Sequence, residues 1–131
     1  MMSIIAIDVG LKRIGLAISY DKKVVLPQKA IIRKNRNQAA DDLSTLLREK
    51  DVQTLVVGLP KSGSSAKEMQ RRIKHFVSLL NFAGVIEYQD EYGSSSEAKE
   101  LLKGEIKIKR DGRVDSLSAV IILKRWLKLA L

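Results

Sequence analysis

The sequence has no cysteine and a single histidine, His75. The lack of cysteine excludes disulfides, thiolate nucleophiles and zinc sites built on Cys ligands. With one histidine, Ser-His arrangements that need more than one histidine and Cys/His zinc sites are poorly supplied. Any chemistry must therefore rest on carboxylates, lysines or hydroxyls.

Aromatic side chains and long apolar runs are also scarce. Aromatic residues make up 5% of the chain, which argues against an extended base-stacking platform, and Trp126 is expected in the core. No apolar run approaches the ~20 residues that a membrane span needs. The first residues lack the basic segment, apolar core and cleavage site of a signal peptide. We therefore expect a cytoplasmic protein with no membrane partner.

Acidic residues are few compared with basic ones. Lys and Arg number 24 against 15 Asp and Glu, which gives a formal net charge of +9. A charge of this sign favours a polyanionic partner such as nucleic acid. The 131 residues suffice for one compact domain with its own hydrophobic core. Residues 1–131 are therefore predicted to form a single domain.

Hydrophobic periodicity predicts an α/β fold with the element order βββαβαβαα. The predicted strands are Ser3–Val9, Ile14–Tyr20, Lys23–Ile32, Gln53–Gly58 and Gly84–Gln89. Pro27 favours an edge position for the third of these strands, because proline cannot donate a ladder hydrogen bond. The fourth strand is short and continuously apolar, which indicates a buried, central position.

Four helices are predicted between and after these strands. They run from about Ala39 to Lys50, along the apolar stripe Met69, Ile73, Phe76, Val77 and Leu80, from about Ser95 to Lys103, and from about Arg113 to the C-terminus. Ser65 and Glu68 have the spacing of a capping box, as do Ser94 and Glu97. The second and third helices are therefore expected to begin near these serines.

The alternation of strands and helices predicts that the first, fourth and fifth strands run parallel, with helices on both faces of the sheet. The carboxyl ends of such strands form the ligand crevice. Asp8 ends the first strand, Gly58 ends the fourth, and Asp90 and Glu91 follow the fifth. Acidic side chains are therefore expected at one edge of the sheet.

Asp8, Glu91 and Asp115 are the candidate site residues. Each has a structural alternative, since Asp8 could form an Asx turn and the others could stabilise helix N-termini. Carboxylates gathered at one edge repel unless cations lie between them, and hard oxygen ligands suit Mg²⁺ or Mn²⁺. Two such ions can hydrolyse a phosphodiester without histidine, by activating water and stabilising the leaving oxygen. We therefore favour a two-metal site.

Four motifs carry a family resemblance over nearly the whole chain. They are AIDVGLKRIGLAI, VVGLP, DEYGSSSEA and GRVDSLSAVIIL, in this order. With them the chain resembles the YqgF family of RNase H-like proteins, which is related to the RuvC Holliday junction resolvases. The family is described as nucleases that mature the 5′ end of the 16S ribosomal RNA precursor.

The resemblance implies an RNase H-like fold whose five-stranded mixed sheet has the order 3-2-1-4-5. It also implies that Asp8, Glu91 and Asp115 are the catalytic residues and the metal ligands. RuvC-like enzymes have a glutamate at the end of the fourth strand, where this chain has Gly58, so Glu91 would have to substitute from the neighbouring strand. Asp90 is expected to support these ligands without binding the metal itself.

Basic residues near these carboxylates are candidates for phosphate binding. Lys12 and Arg13 follow Asp8 in the first hairpin, and the family motif also has a basic pair there. Before Asp115, the segment KIKRDGR is expected to contact the strand being cut; its candidate residues are Lys109, Arg110 and Arg113. Two further groups are interpreted as solvated surface, namely Arg33, Lys34 and Arg36 and the helix stripe Lys67, Arg71 and Lys74.

The favoured function is therefore metal-dependent cleavage of a ribosomal RNA precursor by a monomer, since trimming one strand needs one active site. A Holliday junction resolvase, which would act as a dimer on DNA, is the alternative within the nuclease class. A non-catalytic RNA-binding module for ribosome assembly stays open as well. The two-domain ATPases of the actin class also begin with DxGxxxxGxA, but this chain has room for one domain only.

Overall fold

A computed structural model of the chain describes residues 3–94, 96, 97, 100 and 116–130. Its strands are β1 (Ser3–Val9), β2 (Arg13–Ser19), β3 (Leu26–Ile32), β4 (Val52–Leu59) and β5 (Val85–Asp90). Its helices are α1 (Arg36–Glu49), α2 (Ala66–Ser78) and α3 (Leu117–Leu127). The order of the described elements agrees with the sequence-based prediction.

The five strands form one mixed sheet in the order β3-β2-β1-β4-β5. β1 pairs in parallel with β4, and β4 pairs in parallel with β5. β2 pairs antiparallel with both β1 and β3. This confirms the predicted strand order and the three parallel strands, and it brings the carboxyl ends of β1, β4 and β5 to one edge.

β3 is one of the two outermost strands of the sheet, as Pro27 predicted. It begins at Leu26, three residues later than expected. The side chain of Asp21 accepts hydrogen bonds from the backbone N–H groups of Lys23 and Val24, both at 2.9 Å. These residues therefore belong to an Asx-type turn, in which their N–H groups are already satisfied.

Alternate residues of the strands face two separate cores. The first core contains Ile5, Ile7 and Val9 of β1 and is covered by α1 and α2. The second contains Ile4 and Ala6 and is covered by α3, with the partly buried Trp126 packed against it. Helices therefore cover both faces, as predicted, and α3 contacts all five strands.

α1 begins at Arg36, three residues before the predicted start. Asn35 is its N-cap, and the side chains of Asn35 and Gln38 form a reciprocal capping box. The Asn35 carboxamide oxygen accepts from the Gln38 N–H at 2.8 Å. The cap follows a run of basic residues that carries no apolar periodicity, which is why the periodicity alone placed the helix start too late.

The capping box predicted at the start of α2 was wrong. Ser65 occupies the N-cap position, but within the described part of the chain its side chain makes no capping hydrogen bond. Its ψ angle of 7° departs from the extended backbone that N-cap residues usually adopt. Glu68 instead pairs with Arg72 one turn along the helix, at 2.8 Å.

The segment after β5 is described only in part. Ser94, Ser96, Glu97 and Glu100 are helical, which agrees with a helix in this region. The predicted Ser95–Lys103 boundaries and the start of the last helix at Arg113 lie outside the described residues. Every helix in the described ranges is too short or too polar to cross a membrane.

Candidate active site

Asp8 is the penultimate residue of β1 and pairs with Gly15 of β2. It shares a face of the sheet with Ile4 and Ala6, so its carboxylate lies on the side that α3 covers. The chain then turns at Gly10, whose N–H donates to the Arg13 carbonyl at 2.9 Å. A Cβ atom at Gly10 would lie 2.6 Å from that oxygen, so the tight turn after Asp8 requires glycine.

Glu91 follows the last residue of β5 and extends the parallel pairing by one step. Its N–H donates to the Leu59 carbonyl of β4 at 3.3 Å. Gly58 of β4 lies between Asp8 of β1 and Glu91, which follows β5. A Cβ atom on Gly58 would lie 3.0 Å from Glu91 Oε2. The missing side chain of Gly58 therefore leaves the space through which the Glu91 carboxyl group reaches toward Asp8.

The carboxyl groups of Asp8 and Glu91 share a hydrogen bond. Burial, the negative charge of Asp8, this hydrogen bond and the charge of Asp90 together raise the pKa of Glu91 to about 7. Burial also raises the pKa of Asp8, although the hydrogen bond from Glu91 partly offsets this increase. Glu91 therefore donates the shared proton and Asp8 accepts it.

Asp90 lies beside this pair and shapes the loop that follows β5. Its carboxylate accepts the N–H of Tyr92 at 3.1 Å, and its backbone carbonyl accepts from the Arg125 guanidinium at 3.2 Å. Arg125 also forms an ion pair with Glu97 at 2.7 Å. α3 thus holds both the end of β5 and the residues after it. No local sequence pattern pairs Arg125 with these groups, so sequence reasoning missed this contact.

Ser116 anchors the N-terminal end of α3 to the sheet. Its hydroxyl accepts the Leu16 N–H of β2 at 3.0 Å and donates to the Gln28 carbonyl of β3. The ladder between β2 and β3 is interrupted at this point, between Ile14 and Leu16, so the serine fills the gap in the ladder. Asp115, the third predicted carboxylate, precedes Ser116 and lies outside the described residues.

A cavity of about 310 Å³ opens at this edge of the sheet. Asp8, Asp90 and Glu91 line it together with Lys61, Ser94 and Ser96. Lys61 was not predicted as a site residue, although it follows the carboxyl end of a parallel strand, which is the position that could have identified it. It brings one positive charge to the wall of the cavity.

The predicted basic residues that the structure describes, Lys12 and Arg13, do not line this cavity. Lys12 is exposed in the connection from β1 to β2, and Arg13 is the exposed first residue of β2. The Lys12 carbonyl accepts the Arg33 N–H at 2.8 Å. Lys109, Arg110 and Arg113 lie outside the described residues. The roles of all five in substrate binding stay predictions.

The donor set at this edge suits a hard divalent cation. Within residues 3–94, 96, 97, 100 and 116–130, no group of three acidic or histidine side chains is placed to hold a metal ion. Asp8 and Glu91 nevertheless supply two partly buried carboxyl groups that share one proton. Carboxylate oxygens are the ligands that Mg²⁺ and Mn²⁺ prefer, so the two residues fit such an ion once that proton is lost.

Curated proteins match the chain over nearly its whole length. A protein from a Sulfurovum species is 59% identical over 128 residues, which cover 98% of this chain and 100% of the relative. A protein from Sulfurimonas denitrificans is 57% identical over 97% of this chain and 98% of the relative. One from Helicobacter pylori is 50% identical over 94% and 93%. Each bears the name "Putative pre-16S rRNA nuclease".

Solved structures with the same fold include two resolvases bound to DNA junctions. Thermus thermophilus RuvC in complex with a Holliday junction substrate matches with a TM-score of 0.56 and 11% identity, over 97% of this chain and 94% of that chain. The Fowlpox virus resolvase in its Holliday junction complex matches with a TM-score of 0.60 and 14% identity, over 97% of each chain. These likenesses confirm the RNase H-like fold.

A family model also matches nearly the whole chain. The model described as "RuvX: Holliday junction resolvase" matches residues 2–129, which contain all four motifs and all three predicted carboxylates. The curated relatives agree with it over the same length. The chain therefore belongs to the RuvX family, the family that its motifs indicated under the name YqgF.

Proposed function

We propose that this protein is a divalent-metal-dependent nuclease that hydrolyses phosphodiester bonds in a precursor of 16S ribosomal RNA. Residues 1–131 form its single catalytic domain, which acts as a monomer in the cytoplasm. Asp8, Glu91 and Asp115 are the metal-binding and catalytic residues. The observation that carries the proposal is the hydrogen-bonded pair of partly buried carboxyl groups, Asp8 and Glu91, in a strongly basic protein.

Holding two carboxyl groups together at this place has a free-energy cost, which a function in metal binding would explain. Burial of two carboxyl groups at one place raises the pKa of each, because the low-polarity surroundings and the mutual repulsion disfavour the charged forms. A divalent cation would remove both penalties by replacing the shared proton. A purely structural pair of carboxyl groups would gain nothing from the open cavity that it lines.

Asp115 is supported as the third ligand by its neighbour in sequence. Ser116 is bonded to β2 and β3 beside Leu16, and Gly15, the residue before Leu16, pairs with Asp8. A point between β2 and β3 is about one and a half strand spacings, or ~7 Å, from the axis of β1. Asp115, which precedes Ser116 in sequence, is therefore proposed as the third ligand at this edge.

Metal binding would supply the chemistry that these side chains lack, since a divalent cation lowers the pKa of water and stabilises the leaving oxygen. Asp8 and Glu91 would hold the ion and keep the scissile phosphate oriented against it. Lys61, in the cavity wall, would bind a phosphate oxygen. Asp90 would keep the loop after β5 in place through the bond from the Tyr92 N–H.

RNA is favoured as the substrate by the names of the relatives, each of which is called a pre-16S rRNA nuclease. The net charge of +9 fits any nucleic acid backbone, because phosphate contacts carry no sequence information. Lys12, Arg13, Lys109, Arg110 and Arg113 are the further proposed phosphate contacts.

A Holliday junction resolvase is the second candidate. The family description names this activity, and two structures with the same fold are bound to such junctions. A resolvase cuts two strands symmetrically and therefore normally works as a dimer. Substrate preference and oligomeric state together separate the two candidates.

The deciding experiment compares two substrates in one assay. A 5′-extended fragment of the 16S rRNA precursor and a four-way DNA junction are incubated with the full chain in Mg²⁺, in Mn²⁺ and in EDTA. We expect cleavage of the RNA that requires the divalent ion and is lost in Asp8→Asn and in Glu91→Gln. Asp41→Asn is the matched control, because Asp41 is exposed on α1 and lies outside the cavity.

Other outcomes would overturn the proposal. Preferred cleavage of the junction by a dimer, with the mass measured in solution, would favour the resolvase. Tight RNA binding without cleavage in any divalent ion would favour the non-catalytic RNA-binding module. Cleavage that persists in Asp8→Asn would show that the acidic pair is not the catalytic centre.

A further inference from the structure

A second and larger cavity, of about 590 Å³, lies on the opposite face of the sheet from the acidic pair. We call it the arginine pocket. It is enclosed by the end of β1 and its turn, by the start of α1 and by α2. Its basic lining residues are the arginines Arg33, Arg36, Arg71 and Arg72, together with His75. Val9 contributes to its wall, so the pocket and the acidic cavity meet at the same end of β1.

One guanidinium of the pocket is fixed in place by the fold. Arg33 donates to the Gly10 carbonyl at 2.9 Å and lies over the ring of Phe76, with its Cζ atom 5.4 Å from the ring centre. Burial and the nearby charge of Arg36 lower the pKa of Arg33. Arg33 and Arg36 therefore bring two positive charges to one side of the cavity, an arrangement that favours a bound anion.

The positive charge of the pocket is largely uncompensated. Its one acidic lining residue, Glu68, is paired with Arg72 at 2.8 Å, and those two charges cancel. Arg33, Arg36 and Arg71 have no carboxylate partner among the residues that the structure describes. Guanidinium groups bind phosphate through two parallel hydrogen bonds, so three of them around one cavity make a phosphate site.

The remaining wall of the pocket is apolar. It consists of Val9, Leu11, Met69 and Ile73, and the side chain of Leu11 is 70% exposed at the mouth. A free phosphate would leave this surface unused. Ligand sites of about 300 to 1,000 Å³ commonly combine an apolar wall with a few charged groups, and a nucleotide presents a planar base next to its phosphate.

We propose that the arginine pocket binds a nucleotide, with its phosphate against Arg33, Arg36 and Arg71 and its base against Leu11 and Met69. The nucleotide is either a free molecule or one unit of an RNA strand. The second source rests on the proposed function, because a strand that passes over the turn at Gly10 reaches both cavities. Neither source requires a metal ion.

The test measures binding in EDTA, so that no cleavage takes place. Adenosine 5′-monophosphate and inorganic phosphate are titrated into the full chain by calorimetry. In the double variant Arg36→Gln/Arg71→Gln we expect the affinity for both to decrease at least about tenfold, since each charge-assisted hydrogen bond contributes more than one factor of ten. Leu11→Ser should weaken binding of the nucleotide and leave that of phosphate unchanged.

Two controls separate this site from general charge and from the acidic pair. Lys67→Gln removes one charge from an exposed position of α2 that does not line the pocket, and its affinities should match the wild type. Asp8→Asn should bind the nucleotide like the wild type even if it abolishes cleavage. Loss of cleavage therefore tests the proposed function, whereas loss of nucleotide binding tests this inference.

The source of the nucleotide is read from a short single-stranded RNA in the same variants. If the pocket takes part of a strand, the double variant weakens RNA binding and the mononucleotide competes with the RNA. If it takes a free nucleotide, the double variant loses the nucleotide and keeps the RNA affinity of Lys67→Gln. The inference is overturned if the double variant equals Lys67→Gln with all three probes.

Discussion

The Oε2 atom of Glu91 lies 3.0 Å from the point where a Cβ atom on Gly58 would stand. The same point lies 2.4 Å from the Ile122 Cδ1 atom of α3. Because Gly58 of β4 has no side chain, the carboxyl group of Glu91 can approach Asp8. For the same reason α3 can pack closely on the sheet.

Gly58→Ala should therefore damage both packing and the site. We expect a loss of about 1 to 3 kcal/mol of stability from overpacking, measured by chemical denaturation, together with loss of nuclease activity. Adding Ile122→Val removes the Cδ1 atom and should restore part of the stability. It should not restore activity, because Glu91 stays displaced. Full recovery of activity in the double variant would contradict this account.

The shared proton predicts an unusual pH dependence for the metal-free protein. The folded state keeps a proton on Glu91 up to about pH 7, whereas an unperturbed glutamate loses it near 4.5. Between these values the folded state binds more protons than the unfolded state. The contribution of Glu91 to stability is therefore fully present below the unfolded pKa and decreases as the pH rises through the folded pKa.

This dependence is measured in EDTA as the melting temperature of the wild type minus that of Glu91→Gln. We expect the difference to decrease from about pH 5 to about pH 8. Glu87→Gln, at an exposed position of the same strand, should show no such trend. Parallel profiles for the wild type and Glu91→Gln would mean that Glu91 does not hold the proton.

Divalent ions should reverse that trend, because the metal and the shared proton compete for the same oxygens. Saturating Mg²⁺ or Mn²⁺ is expected to raise the melting temperature more at about pH 8 than at about pH 5. Asp8→Asn should lose most of this stabilisation, and the exposed Asp41→Asn should retain it. An equal increase in all three proteins would indicate nonspecific ion binding.

Ser116→Ala tests the anchor of α3. Removal of the hydroxyl leaves the Leu16 N–H and the Gln28 carbonyl without their partner, and unsatisfied buried groups of this kind cost about 1 to 3 kcal/mol each. Activity should decrease as well, since Asp115 is the adjacent residue. Ser118→Ala, at a buried position of the same helix, is the control and should have a much smaller effect on both measurements.

Arg125→Lys tests the contact between α3 and the end of β5. Lysine keeps the charge but cannot bond both the Asp90 carbonyl and Glu97 in the way that the guanidinium does. We expect a loss of about 1 to 2 kcal/mol and a higher metal concentration for half-maximal activity, because the loop that carries Glu91 is held less firmly. A double-mutant cycle with Glu97→Gln measures the coupling; no coupling would contradict the ion pair.

The sequence predicted the sheet because its strands carry strong local signals. Alternating or continuous apolar runs marked each strand, and Pro27 placed β3 at an edge. The placement of Asp8 and Glu91 at one edge was predictable as well, since the carboxyl ends of the parallel strands of one sheet lie at the same edge. The path of Glu91 across Gly58 follows from the same topology once the order of the strands is known.

The contacts that hold the site together were not predictable in the same way. Ser116 bridges two strands that are far from it in the chain. Arg125 contacts Glu97 and Asp90, which precede it by 28 and 35 positions. Such pairs leave no local periodicity or spacing in the sequence. At Ser65 a local signal was present, but the pairing of Glu68 with Arg72 competed with the expected cap.

α3 is bonded to β2 and β3 through Ser116 at one end and to the end of β5 through Arg125 at the other. Nine helical residues rise about 14 Å, so the helix holds its two anchors a fixed distance apart at the edge that carries Asp8 and Glu91. Single side chains along it can be exchanged, but inserting or deleting one residue would rotate one anchor away from its partner. A change in the length of α3 should therefore impair the protein more than substitutions along it.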